Sequence, residues 1–153
     1  MDAHLRLAPD PAGIGSEPSR RSPIRVTLID GHEPMRRSLR LLLDGEEGIE
    51  VIAEAADLSA IGASRADPDV LVADFHRDDG SPPQAISRIL GRAPHLGVVV
   101  LTMQDVPALA RQILDAGALG LVRKQFADRE LAQAVRAAAR GEVYVSPPIA
   151  ARL

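Results

Sequence analysis

The 153-residue chain contains no cysteine and very few aromatic residues. Without cysteine it can form neither disulfides nor thiolate metal sites, and such a composition is typical of a reducing cytoplasm. Aromatic residues make up only 2% of the chain, so leucine, valine, isoleucine and alanine have to fill the core. We therefore expect a cytoplasmic protein with an aliphatic core.

Basic charge and long apolar runs are also lacking. The formal net charge is −3, so the chain has no excess of basic residues that would favour nucleic acid. No apolar run is long enough to span a bilayer, and the N-terminus lacks a signal-peptide pattern. These features argue against DNA binding by these residues and against a membrane location.

The composition indicates one globular domain behind an N-terminal leader. Hydrophobic residues make up 46% and charged residues 25%, which are ordinary values for a single domain of this length. Residues 1–23 are rich in proline and mixed charges, and we expect them to form a disordered leader. The ordered domain is predicted to begin at Ile24.

From Ile24 onward, apolar runs alternate with stretches of helical periodicity. Strands are predicted at 24–30, 48–55, 69–74, 96–102 and 118–123. Helices are predicted from Pro34, weakly at 57–66, at 84–92, from an N-cap at Asp105 to Gly117, and at 127–140. This alternation predicts an α/β fold with a five-stranded parallel sheet and helices on both faces.

Polar side chains stand at the ends of four of these strands. Asp30 and Asp74 follow the first and third strands, Thr102 ends the fourth, and Lys124 follows the fifth. Ligand sites in such sheets lie at the carboxyl ends of the strands. Two carboxylates there suit Mg²⁺, and an aspartate can accept a phosphoryl group whose charge a lysine neutralises. As an alternative, Asp30 could be only the N-cap of the helix that follows it.

Five segments together resemble the receiver domains of two-component response regulators, specifically those of the NarL/FixJ class. The segments are IRVTLIDGHEP, PDVLVADF, VVVLTM, DAGALGLVRK and RGEVYVSPPIAARL, and the resemblance extends from Ile24 to Leu153. It implies a flavodoxin-like sheet of order 2-1-3-4-5, a receiver domain over 24–142 and the start of a linker at 143–153. It also implies a sensor histidine kinase as partner, homodimer formation, and DNA contact only through a C-terminal helix-turn-helix domain outside these residues.

The same resemblance implies a role for each residue at the strand ends. Asp74 matches the aspartate that accepts the phosphoryl group, and Thr102 and Lys124 match the residues that bind it. Mg²⁺ would be held by Asp30, by Asp74 and by the backbone carbonyl of His76. The domain is then a phosphoacceptor that signals, and not an enzyme.

Two departures from the family pattern leave the mechanism open. Gly31 stands where the family carries a second acid that ligates Mg²⁺, and Leu121 replaces a switch aromatic found in many receivers. One hypothesis retains phosphorylation with weaker Mg²⁺ binding, assisted by Glu33 or Asp78. The other is a degenerate receiver that has lost Mg²⁺ and acts by protein contacts alone. A flavodoxin-like cofactor binder would need a phosphate-binding glycine loop or stacking aromatics, and neither is visible.

Overall fold

The computed structural model of the chain describes residues 22–60, 67–75, 80–104 and 106–153. Six strands form one sheet: β1 (Ile24–Ile29), β2 (Ile49–Ala55), β3 (Val70–Ala73), β4 (Gly97–Thr102), β5 (Gly120–Arg123) and β6 (Tyr144–Val145). The described part also contains five α-helices: α1 (Glu33–Asp44), α2 (Pro82–Arg92), α3 (Pro107–Asp115), α4 (Ala127–Ala139) and α5 (Pro147–Ala150).

The strand order is β2-β1-β3-β4-β5-β6, and every neighbouring pair is parallel. The predicted order 2-1-3-4-5 is therefore confirmed, with one short strand added beyond β5. All four residues of β3 are buried, as expected for a continuous apolar strand that is covered on both faces of a parallel sheet. None of the helices in the described ranges is long and apolar enough to cross a membrane.

Helices cover both faces of the sheet. On one face, Leu39 and Leu43 of α1 pack with Leu131 and Val135 of α4 in one aliphatic cluster. On the other face a second cluster joins α2, α3 and α5 through Ile86, Ala110, Ile113 and Ile149. Proline occupies the first turn of α1, α2, α3 and α5, where its fixed φ suits the helix and its missing N–H leaves no bond unmade.

Four predictions about local structure have different outcomes. The N-cap of α3 is Val106, which has no side-chain acceptor, and not the predicted Asp105, which itself lies outside the described residues. Of the weak helix predicted at 57–66, the structure shows a 3-10 turn at Leu58–Ala60, and residues 61–66 lie outside the described part. Residues 1–21 of the predicted leader 1–23 also lie outside it. In the segment predicted to start a linker, β6 and α5 pack on the domain, while the boundary at residue 142 stays a prediction.

Gly97 allows α4 to pack closely against the start of β4. A Cβ atom at Gly97 would lie 2.9 Å from the carbonyl oxygen of Ala138 and 3.1 Å from its Cβ. Gly97→Ala is therefore expected to lower the free energy of unfolding by about 2 kcal/mol, because the backbone of α4 has to move away. Urea denaturation followed by circular dichroism measures this change.

Gly91→Ala is the matched control for this prediction. Gly91 lies inside α2, and a Cβ atom there would meet nothing within 4 Å. Alanine at such a helical position is expected to raise the free energy of unfolding by about 0.5–1 kcal/mol. Equal stability of the Gly97→Ala variant and the wild type would show that α4 does not depend on this close approach.

Candidate functional site

Charged side chains follow three strands at the same edge of the sheet. Asp30 comes directly after β1, Asp74 after β3 and Lys124 after β5. The backbone N–H of Asp74 donates to the carbonyl of Ile29 at 2.9 Å, so the two acids stand side by side on neighbouring strands. Because β4 lies between β3 and β5, Lys124 has to reach across the end of β4 to meet them.

Lys124 bridges both carboxylates. Its Nζ lies 2.5 Å from Asp74 Oδ2 and 3.1 Å from Asp30 Oδ2. The side chain of Lys124 is 8% exposed and that of Asp30 is 1% exposed, whereas that of Asp74 is 30% exposed. Within this group, Asp74 is thus the carboxylate that a reactant from solvent can approach.

The ammonium of Lys124 stays protonated despite its burial. Burial is the largest single influence on its pKa and lowers it, but the hydrogen bond that Lys124 donates to Asp74 and the charge attraction of Asp74 and Asp30 together outweigh that effect. The pKa of Lys124 is therefore raised above its ordinary value. The chain has 18 lysine and arginine residues, and Lys124 is the only lysine among them. A compact ammonium with three donors fits between two carboxylates where a planar guanidinium is less suited.

Asp30 is held by its own turn and by α1. Its Oδ1 accepts the backbone N–H of His32 at 2.9 Å, and its carbonyl accepts a hydrogen bond from Arg36 Nη1 at 2.8 Å. The N-cap position of α1 is His32, which makes no capping hydrogen bond through its side chain. The alternative that Asp30 only caps this helix is therefore wrong.

The other oxygen of Asp30 faces Lys124 without a directed hydrogen bond. Asp30 Oδ2 is buried and accepts no hydrogen bond within the described ranges, although Lys124 Nζ lies 3.1 Å away. The short distance and the missing hydrogen bond are both explained if Lys124 Nζ and Asp30 Oδ2 form an ion pair whose angle is poor for a hydrogen bond.

Arg36 links this turn to the neighbouring strand β2. Its Nε donates to Glu54 Oε1 at 3.0 Å, and Arg40 pairs with the other oxygen of Glu54. The hydrogen bond from Arg40 is the main reason that the pKa of Glu54 is lowered; burial opposes the shift and Arg36 adds to it. Glu54 is thus ionised at neutral pH and fixes Arg36 against the carbonyl of Asp30. The sequence analysis did not identify Arg36. The signal that could have pointed to it is its spacing of six residues from Asp30, which places it in the first turn of α1.

Thr102 is the last residue of β4, and Leu121 lies in β5. The hydroxyl of Thr102 accepts the N–H of Gln104 at 3.1 Å and is 3.3 Å from the carbonyl of Gln104, so its hydrogen bonds lie within its own loop. Leu121 is 1% exposed and packs in the aliphatic cluster that includes Ile113 of α3. The hydroxyl thus stands at the carboxyl end of β4, and Leu121 is an aliphatic side chain beneath α3.

Asp30 and Asp74 fit a small magnesium site with two carboxylates. In the part of the chain that the structure describes, no three histidine, cysteine, aspartate or glutamate side chains converge to hold a metal. Gly31 is exposed and brings no oxygen from a side chain. Mg²⁺ usually keeps several waters and is bound through one or two carboxylates. Asp30 and Asp74 can provide these two carboxylates. His76 and Asp78 lie outside the described residues.

A parallel sheet of this order, with two acids and a lysine at its carboxyl edge, defines a receiver-type signalling domain. Residues 26–136 match the family described as response regulator receiver domain, and the chain belongs to that family. Receiver domains are phosphoacceptor signalling domains of two-component systems, and they typically bind Mg²⁺.

Relatives of the chain include regulators of the NarL and LuxR type. The nitrate/nitrite response regulator protein NarP of Escherichia coli is 34% identical over 127 residues, which cover 82% of this chain and 59% of NarP. The transcriptional regulatory protein LiaR of Bacillus subtilis is 33% identical over 132 residues, which cover 85% of this chain and 63% of LiaR. The chain thus spans less than two thirds of the length of these curated relatives.

Solved structures show the same fold. A two-component response regulator of the LuxR family from Aurantimonas sp. superposes with a TM-score of 0.78 and 32% identity, over 85% of this chain and 94% of that one. The isolated receiver domain of RcsB from Salmonella enterica, in the presence of phosphomimetic BeF3-, gives a TM-score of 0.78 and 27% identity. That match covers 86% of this chain and 99% of that one.

Proposed function

We propose that Asp74 accepts a phosphoryl group from a phosphorylated histidine kinase. The observation that carries this proposal is the placement of Asp74, which is open to solvent and in contact with Lys124, while Asp30 behind it is buried. Of these three side chains, Asp74 is the one that a reactant can reach. The negative charge of the phosphoryl group then meets Lys124, the only lysine of the chain.

In the reaction, a carboxylate oxygen of Asp74 attacks the phosphorus atom of phosphohistidine. A P–O bond forms while the P–N bond breaks, and the electron pair of the broken bond stays on the imidazole nitrogen of the kinase. The Lys124 ammonium neutralises charge on the transferring oxygens, so the protein contributes mainly by positioning and electrostatics. The Thr102 hydroxyl would have to turn its proton from the carbonyl of Gln104 to the new phosphoryl group, and it can go on accepting the N–H of Gln104.

Asp30, Asp74 and the backbone carbonyl of His76 are the groups that would hold Mg²⁺. When bound, the ion supplies positive charge beside the phosphoryl oxygens. Because Gly31 contributes no carboxylate, we expect the binding of Mg²⁺ to be weak. Glu33 is exposed and lies 3.9 Å from Arg37. It could add a ligand only by turning away from Arg37.

A second function is favoured by one observation. Lys124 already bridges Asp30 and Asp74, and it occupies oxygens that a metal ion would use. Together with the missing acid at Gly31, this supports a degenerate receiver that binds partners without phosphorylation. In that case the ion pairs serve the fold and not phosphotransfer.

The partners follow from the proposed class. A sensor histidine kinase would donate the phosphoryl group, and a homodimer would form through the helical faces. RcsB, a structural relative, has been solved as dimers bound to DNA. By analogy, DNA would be contacted through a C-terminal domain outside these residues, with transcription as the output, in the cytoplasm.

The experiment for this function is intact mass spectrometry after incubation with acetyl phosphate, with and without Mg²⁺. We expect a Mg²⁺-dependent gain of one phosphoryl group in the wild type and none in Asp74→Asn, because the amide is not a nucleophile toward phosphorus. Asp69→Asn is the matched control, since Asp69 precedes the same strand at its opposite end and should keep the gain.

The opposite result decides for the second function. If the folded wild type gains no mass even at high Mg²⁺ concentration, then Asp74 does not accept a phosphoryl group from this donor, and binding alone explains the domain. A gain that persists in Asp74→Asn would place the modified residue elsewhere.

A further inference from the structure

The C-terminal segment Tyr144–Leu153 packs on the edge of the sheet next to the pocket. The N–H groups of Tyr144 and Ser146 donate to the carbonyls of Leu119 and Leu121, both at 2.8 Å. Ile149 of α5 is 3% exposed and belongs to the cluster beneath α2 and α3. The carbonyl of Leu153 accepts a hydrogen bond from Arg111 of α3 at 2.8 Å. This segment is thus in contact with β5 and with the elements beside it.

Ser146 is the polar centre of this contact. It is fully buried, and its hydroxyl accepts the backbone N–H of Arg123 at 3.0 Å. The same hydroxyl donates to the carboxylate of Glu130 in α4 at 2.5 Å. β6 ends at Val145 and the chain turns into α5 at Pro147, so the Ser146 side chain supplies the acceptor for the last N–H of β5.

The residue fixed in this way directly precedes Lys124. Arg123 is the last residue of β5, and the backbone then enters a 3-10 turn over Lys124–Phe126. The single side chain of Lys124 has to meet oxygens of the two acids that follow β3 and β1, at 2.5 Å and 3.1 Å. A shift of the backbone at Arg123 would therefore change both distances.

We propose that Ser146 is a positioning residue for the pocket, because its buried hydroxyl fixes the end of β5 and so directs Lys124 toward Asp74 and Asp30. The state of the pocket and the docking of Tyr144–Leu153 are then linked, and each affects the other by the same free energy. Only the kinetic part of the following test rests on the proposed phosphorylation of Asp74. Without such a role, Ser146 would merely satisfy a buried N–H group, as buried hydroxyls commonly do.

The chain offers a direct probe of this inference, because Lys124 is its only lysine. Protein labelled with isotopes in lysine gives one side-chain NMR signal, which reports the surroundings of the Lys124 ammonium. We expect Ser146→Ala to move this signal toward that of an exposed lysine. We also expect the rate of phosphorylation by acetyl phosphate to fall about tenfold, which is less than the roughly hundredfold loss that a misplacement of about 1 Å can cause.

Val145→Ala is the matched control, because Val145 directly precedes Ser146 and packs in the same cluster as Ile149, but its aliphatic side chain cannot hydrogen-bond the N–H of Arg123. It should lower stability without moving the lysine signal or the rate. Should Ser146→Ala fail to fold, Glu130→Ala removes the acceptor that orients the hydroxyl and is expected to move the signal in the same direction.

A lysine signal unchanged in the folded Ser146→Ala variant overturns the inference, whatever the rate does. An equal movement in Val145→Ala also overturns it, because general packing would then be the cause. If Ser146→Ala does not fold, an unchanged signal in Glu130→Ala has the same meaning. If the wild type gains no phosphoryl group, the proposed function fails, and the lysine signal alone decides the role of Ser146.

Discussion

Lys124→Met is expected to lower the free energy of unfolding by about 3 kcal/mol, the lower end of the range for breaking a buried ion pair. The reason is that the buried carboxylate of Asp30 loses the ammonium that faces its Oδ2. The loss should not exceed this value, because Asp74 is 30% exposed and water can solvate it once Lys124 is gone. Urea denaturation at neutral pH, followed by circular dichroism, measures the change.

The pH dependence separates the charge of Lys124 from its packing. Since the pKa of Lys124 is raised in the folded state, its contribution is complete below the unfolded value of about 10.4 and is lost as the pH rises through the folded value. The difference between wild type and Lys124→Met should hold from about pH 6 to about pH 9 and narrow above about pH 10.4. A difference that stays constant at alkaline pH would assign the effect to the alkyl chain.

Arg37→Met is the control for removal of a positive charge at the surface. Arg37 is 72% exposed and pairs with Glu33 at 3.9 Å one helical turn away. Its removal should change the free energy of unfolding by less than about 0.5 kcal/mol. Equal losses in the two variants would show that the bridge in the pocket contributes no more than an exposed ion pair.

Gly31→Asp is expected to raise the affinity for Mg²⁺ about 100-fold. One added charge at about 4 Å and an effective dielectric constant of about 20 is worth on the order of 4 kcal/mol, of which solvent and rearrangement recover a part. Gly31 does not have the positive φ that disfavours other residues. In the described ranges, the glycines with positive φ are Gly48, Gly80, Gly117 and Gly141. Isothermal titration calorimetry of both proteins with MgCl₂ measures the change.

Gly31→Asn separates charge from side-chain size. The amide has the shape of the carboxylate and one oxygen ligand but no charge, so the gain in affinity should be much smaller than with aspartate. Equal Mg²⁺ affinities of the wild type and Gly31→Asp would mean that the site obtains its charge elsewhere. Gly31 would then not be the reason for weak metal binding.

Most of the fold could be predicted from local patterns. The continuous apolar run of β3 and the periodic leucines of α1 each follow from one stretch of sequence, and parallel order follows from their alternation. The cap of α3 could not be predicted, because Val106 has no side-chain acceptor and so carries none of the usual capping signal. β6 was missed because a strand of two residues, Tyr144–Val145, is stabilised by its neighbour and not by its own pattern.

The site could be predicted only at the level of which strand ends carry polar groups. The proximity of Asp30, Asp74 and Lys124 follows from the parallel sheet, but the roles assigned to them stay predictions. The difference in burial between Asp30 and Asp74 depends on how neighbouring elements cover each carboxylate. The contact between Ser146 and Arg123 depends on the register of β6 against β5, which no spacing in the sequence reveals.

The short strand β6 has a consequence for self-association. A strand at the edge of a sheet leaves a row of unpaired N–H and C=O groups that another chain can join. Here β6 covers the outer side of β5 and is itself only two residues long, with Pro147 and Pro148 directly following Ser146. Since proline has no N–H to donate, another strand finds little to pair with at this edge. Aggregation through strand addition is therefore disfavoured on the side of the sheet where the pocket lysine lies.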